Sequence, residues 1–282
     1  MSAINIVRQR EAVHLFSDAS VYDHDGVLRY VAPKTFALPH HPAVIGTRGP
    51  NRSTDIIGAG LAGMFATFDE MVDGIEGSLP NLVEESAQYL AGGGHPRIDL
   101  MIAGWSEREQ APRSFMIMTE ENGWRPDHDL GDAVSVQTGN PYELRPLDEL
   151  VISPTIDQDD IIAAISHGKG FDGIEHMDLD AHGLMLLELQ RAKRTALAPG
   201  RDAHHWVGGF AMISTVSRSG VSQRVLHRWE DQVGETISPP PVDWPEWWKE
   251  RQRRRPAERP GVSRLQRERM EKKARKGTLQ ST

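Results

Sequence analysis

Apolar and polar positions alternate at the start of the chain. Ile4 and Ile6, then Val13 and Leu15, stand between polar neighbours, which predicts two strands, Ala3–Arg8 and Ala12–Ala19, around a turn at Gln9-Arg10-Glu11. A turn signal at Asp23-His24-Asp25-Gly26 leads into Val27-Leu28-Arg29-Tyr30-Val31, and Ala43-Val44-Ile45 is a further short strand ending at Gly46. The period then changes. Leu61, Phe65, Phe68, Met71, Val72 and Ile75 recur at three and four residues, predicting two helices within Ile56–Leu90, the second starting after Pro80. Ile98–Ile102 and Phe115–Met118 return to strand, Asp178–Leu197 reads as helix, and Val207–Val216 with Val221–Trp229 reads as a hairpin. Strands and helices come in blocks instead of alternating singly, so the pattern predicts an α+β fold, a four-layer αββα sandwich of two antiparallel sheets flanked by helices.

Charge divides the chain. Of its 282 residues, 32 are basic and 40 acidic. Glu246–Thr282 holds 13 basic and five acidic residues, a balance of +8, which leaves 19 and 35, or −16, for the rest. Ser238-Pro239-Pro240-Pro241-Val242-Asp243-Trp244-Pro245 favours an extended connection. The predicted organisation is a domain over 1–237, a linker over 238–245 and a basic, Trp- and Arg-rich tail over 246–282, partly helical or disordered. That tail suits docking on an acidic partner, on nucleic acid or on the acidic body of a neighbouring subunit. No run approaches the ~20 apolar residues of a membrane span, and the first residues lack a signal peptide's basic and apolar regions. The expected location is cytoplasmic, without a membrane partner.

Zero cysteines exclude disulfide, thiol and Cys-ligated metal chemistry. Gly58-Ala59-Gly60-Leu61-Ala62-Gly63 satisfies the spacing of a dinucleotide-binding turn, but the required strand does not precede it. Only Ile56-Ile57 follow Asn51–Asp55, read as a loop and N-cap, so the glycines belong to a closely packed helix and no cofactor is implied. His40-His41, His204-His205, His176 and His182 invite a metal. Adjacent strand residues point to opposite faces, however, and no H-E-x-x-H spacing occurs, so these read as surface or loop histidines.

In the N-terminal hairpin, facing positions sum to about 21, which sets Asp18 beside Ala3 and within reach of Ser2. The following turn brings Pro33-Lys34 back to the same end. A hydroxyl, a carboxylate and an ammonium converge, at intervals of 16 and 16 residues. In this spacing, and in Ala3-Ile4-Asn5-Ile6-Val7, Leu15-Phe16-Ser17-Asp18-Ala19-Ser20 and Pro33-Lys34-Thr35-Phe36-Ala37-Leu38-Pro39, the chain resembles proteasome β-subunits and bacterial proteasome-like proteases, a family of N-terminal nucleophile (Ntn) hydrolases. Val44–Gly49, Met101–Trp105 and Gly208–Ile213 resemble later strands, and the tail has no counterpart.

The resemblance implies a peptidase or amidohydrolase on a peptide or protein substrate, built into a ring-like homo-oligomer. Ser2 would be the nucleophile once Met1 is removed, and its own α-amine, of pKa roughly 7.7–8.0, the base. Lys34 and Asp18 would tune the pair, and a backbone N–H at Gly49 would serve the oxyanion. Departures are visible: Ser stands where the family has Thr, Ile152-Ser153-Pro154 replaces a Gly-Ser-Gly segment, and Val207 and His204 occupy the places of a supporting Ser and Asp. The departures suit a second reading, a catalytically inactive structural or assembly protein, for instance of a phage or prophage particle. Third is a nucleic-acid-associated protein acting through the basic tail.

Overall fold

A computed structural model of the chain describes residues 2–38, 40–90, 96–120, 140–168, 170–196 and 200–254. Its elements run β1 (Ile4–Arg8), β2 (Ala12–Ser17), β3 (Ser20–Tyr22), β4 (Leu28–Val31), β5 (Thr35–Leu38), β6 (Ala43–Arg48), α1 (Ser53–Met64), α2 (Phe68–Leu90), β7 (Asp99–Ser106), β8 (Ala111–Met118), β9 (Arg145–Pro146) and β10 (Leu150–Ser153). They continue with α3 (Gln158–Ser166), α4 (Leu179–Ala192), β11 (Thr195–Ala196), β12 (Ala203–His204), β13 (Phe210–Ser217), β14 (Gly220–Arg228) and α5 (Trp244–Arg254). The fold is mixed α and β, with antiparallel sheets. One five-stranded sheet has the order β10-β1-β2-β13-β14 and another the order β5-β6-β7-β8-β9.

Side-chain alternation explains how the second sheet is buried on both faces. Along β6 and β7, Ala43, Ile45, Leu100 and Ile102 pack with Ile57, Leu61, Phe68, Met71 and Ile75 of α1 and α2. The intervening Val44, Met101, Ala103 and Trp105 pack with Ile4, Ile6, Val13 and Leu15 of the first sheet. Two buried faces give continuous apolar runs such as Leu100-Met101-Ile102, where a strand with one wet face would alternate. On its other face the first sheet meets α4, where Gly183 sits on the Phe16 ring so closely that a Cβ there would fall 2.0 Å from a ring carbon.

Several predicted boundaries move. The helical break lies at Phe65-Ala66-Thr67, and Pro80 sits inside α2. Thr67 Oγ1 accepts the Glu70 N–H at 3.1 Å while Glu70 Oε2 accepts the Ala66 N–H at 2.9 Å, a capping arrangement that starts α2 there. Leu79, Leu82 and Val83, buried on either side of Pro80, hold the helix through the missing donor. Helix α1 already includes Ser53-Thr54-Asp55, expected in a loop, because Ser53 Oγ turns back to the Pro50 carbonyl at 2.6 Å. Strand β6 passes through Gly46 to Arg48. Helix α4 ends at Ala192, short of the expected Leu197, which lies outside the described residues.

The chain divides into two units, Met1–Val242 and Asp243–Thr282. In the second, α5 begins at Trp244, inside the stretch read as linker, because Asp243 Oδ1 accepts the Glu246 N–H at 3.1 Å and Pro245, in the first turn, needs no acceptor. Arg251 lies over the Trp247 ring, 5.2 Å from its centroid. The rest of the tail, including Lys272–Lys276, is outside the described residues. No helix among them is long and apolar enough to cross a membrane.

Candidate active site at the N-terminal hairpin

The β1–β2 register pairs Ile4 with Ser17, so Asp18 lies opposite Ala3, one residue from Ser2. Asp18 follows β2 and Lys34 precedes β5, the two being joined by the β3–β4 hairpin, whose strands pair Ser20 with Val31. Asp18 is wholly buried and Lys34 is 8% exposed. Lys34 Nζ lies 2.8 Å from each Asp18 oxygen.

Asp18 organises its surroundings. Oδ1 accepts the Ala3 N–H at 3.0 Å, fixing the residue beside Ser2. Oδ2 accepts the N–H groups of Ser20 at 3.1 Å and Gly208 at 3.2 Å. The Ser20 hydroxyl lies 2.5 Å from Oδ2 and 2.6 Å from the Trp206 carbonyl, one proton between two acceptors. A carboxylate taken from water without partners costs several kcal/mol, and this ring of donors with a cation offsets that cost.

Lys34 is the group whose charge is contested. Burial pushes its ammonium below the ordinary lysine range, the Asp18 charge and hydrogen bonds pull it back up, and Arg48 adds to the lowering. Its backbone carbonyl accepts from Thr54 Oγ1 at 3.4 Å, and its ammonium lies 5.8 Å from the centroid of the Tyr22 ring. Arg48, at the end of β6, donates through Nη1 to Ser153 Oγ at 2.7 Å. Asp99 faces Arg48 across β6 and β7, and burial raises its carboxyl against the opposing charges of Arg48 and Arg97.

The structure therefore brings Asp18 and Lys34 into contact and places Ser2, half-buried, next to the amide that Asp18 holds. Gly49 lies just beyond Arg48 at φ 152°, where a Cβ would come 2.5 Å from the Arg97 carbonyl, so only glycine passes there without strain. Met1 lies outside the described residues. Sequence reasoning missed Ser20, Gly208 and Arg48. The Asp18-Ala19-Ser20 spacing is the signature of a carboxylate accepting from the amide two residues on, and it could have flagged Ser20. Contact with Gly208, 190 positions away, carries no local signal.

The other motifs resolve structurally. Gly58 and Gly60 lie on α1, where a Cβ would meet Phe36 and Leu82 at 2.6 and 2.5 Å, so they serve close packing. Of the histidines expected at the surface or in loops, His41 lies in the turn before β6, though buried, whereas His182 departs from that expectation: it is buried on α4, its Nδ1 accepting the N–H of the N-cap Asp178 at 3.0 Å. Among the described residues no group of three or more His, Cys, Asp or Glu side chains could hold a metal ion. Compared with known proteins, the sequence matches no family model and no curated relative.

Proposed function

We propose that the chain is an Ntn hydrolase of the proteasome-like kind, with Ser2 as nucleophile on peptide or amide bonds and its fold a four-layer αββα sandwich. The observation that carries this reading is the buried Asp18–Lys34 pair, with Asp18 also holding the amide next to Ser2. Two antiparallel five-stranded sheets sharing a core, with α1 and α2 against one and α4 against the other, support the sandwich.

In the proposed cycle, removal of Met1 frees the Ser2 α-amine. The amine takes the proton of Ser2 Oγ as that oxygen bonds to the substrate carbonyl carbon. The resulting ammonium then protonates the leaving nitrogen, the C–N bond breaks, and an ester on Ser2 remains. Water, deprotonated by the same amine, attacks the ester carbon and releases the acid, restoring Ser2. Lys34, kept close by Asp18, favours the neutral amine and the developing alkoxide.

A second reading, an inactive structural or assembly protein, is favoured by two observations. Val207 and His204 stand where supporting Ser and Asp residues would be, and the Ser153 hydroxyl accepts from Arg48. Intact mass of the purified protein separates the readings. Loss of Met1 together with peptide hydrolysis that disappears in Ser2→Ala supports the enzyme. Retained Met1 would turn the base into an amide and end the proposal.

A further inference from the structure

Gly208 and Gly209 are gripped from two sides. The Gly208 N–H donates to Asp18, and its carbonyl accepts the Ala19 N–H at 3.0 Å. The Gly209 N–H donates to Asp231 Oδ2 at 2.7 Å, and its carbonyl accepts the Trp229 N–H at 3.0 Å. Arg191, from α4, closes the far side. Its Nη1 reaches Asp231 Oδ2 at 2.9 Å and the Val207 carbonyl at 2.8 Å, and its Nη2 reaches Asp231 Oδ1 at 2.6 Å. Both side chains are 6% exposed, and the guanidinium lies 4.9 Å from the centroid of the Trp229 ring. There is no slack. A Cβ on Gly208 would fall 2.6 Å from Asp231 Oδ2, and one on Gly209, at φ 74°, would fall 2.6 Å from Val31 Cγ1.

We infer that Arg191 and Asp231 are positioning residues for Asp18 and Lys34, acting through the 208–209 peptide that joins the two carboxylates. Burial of an ion pair does not by itself require a charged pair, since apolar side chains of similar volume often serve stability equally well. Apolar side chains cannot hold the Gly209 N–H and the Val207 carbonyl in register, and those contacts set where the Gly208 N–H points. Once they are released, Gly208 swings off Asp18, water reaches the pair, and Lys34 is less desolvated. The catalytic consequence rests on the proposed hydrolase reading; the coupling itself does not.

The test uses the full chain with 13C-labelled lysine, the Lys34 signal being assigned by Lys34→Arg. In the double variant Arg191→Met/Asp231→Leu, folded by circular dichroism, the Lys34 titration moves up toward the ordinary lysine range. Acylation of Ser2 by a β-lactone slows about tenfold to a hundredfold, the scale expected when a reacting group is displaced by about 1 Å. Gly209→Ala disturbs the same peptide while leaving both charges in place, and it shifts Lys34 in the same direction. An unchanged Lys34 titration in either folded variant overturns the inference. If wild-type Ser2 takes no acyl group while the titration shift is present, the hydrolase reading fails and the positioning stands.

Discussion

The two buried ion pairs flanking Gly208-Gly209 look alike and differ in the property that matters for chemistry. Asp18 and Asp231 each accept one glycine N–H and each face a cation. Asp231 has Arg191, a planar, permanently charged fork that also holds a carbonyl and lies over an indole. Asp18 has Lys34, a compact ammonium whose proton burial loosens. The pair whose cation is pushed down by burial stands at the N-terminal hairpin beside Ser2; the pair with the guanidinium stands one peptide further away. One serves as a frame and the other as a candidate reagent.

Removing one cation at a time separates the two pairs. Lys34→Met and Arg191→Met each leave a buried carboxylate uncompensated, and each is expected to destabilise the protein by about 3–5 kcal/mol in denaturant unfolding. The double change Arg191→Met/Asp231→Leu should recover part of that loss, the Gly209 N–H and the Val207 carbonyl being left without their partners. A near-neutral Lys34→Met would mean that Asp18 is not held as a buried anion.

Strand β2 also supplies a buried group of the opposite kind. Burial, with the charge of Arg224 adding, lowers His14 from 6.5 to about 4, so it is neutral in the folded protein at pH 7. Between those values the unfolded chain binds the proton and the folded one does not. Stability therefore falls as pH drops from 6.5 to about 4, by up to about 3 kcal/mol from this residue. Unfolding midpoints at pH 7 and 4.5 should converge in His14→Gln by comparison with wild type.

Much of this arrangement is legible in the chain. The alternation of Ile4, Ile6, Val13 and Leu15 and the short Gln9–Glu11 turn specify the hairpin register, and with it the placing of Asp18 opposite Ala3. The break before Phe68 is less legible, because Pro80 is the stronger local signal and the Thr67–Glu70 cap decides only together with the buried face of α2. The Arg191–Asp231 frame is invisible to any local rule. Its members lie 40 positions apart, and each resembles an ordinary surface charge until α4 packs on the sheet.

That packing is testable at smaller scale. Gly183→Val places a side chain against Phe16 and should cost about 1–3 kcal/mol, loosening the helix that carries Arg191. Smallest of all should be the effect of Ser2→Ala on unfolding, within about 0.5 kcal/mol, because Ser2 is only half-buried and lies outside the paired strands. A larger loss would place Ser2 in the frame and not among the reagents.

Ser2 is proposed as an activated nucleophile. Mass spectrometry of the N-terminal peptide after treatment with a β-lactone reads this role at the residue itself. Met1 is expected to be lost and Ser2 to carry one acyl group, absent in Ser2→Ala and strongly reduced in Lys34→Arg. An unmodified Ser2, or acylation that persists in Ser2→Ala, would contradict it.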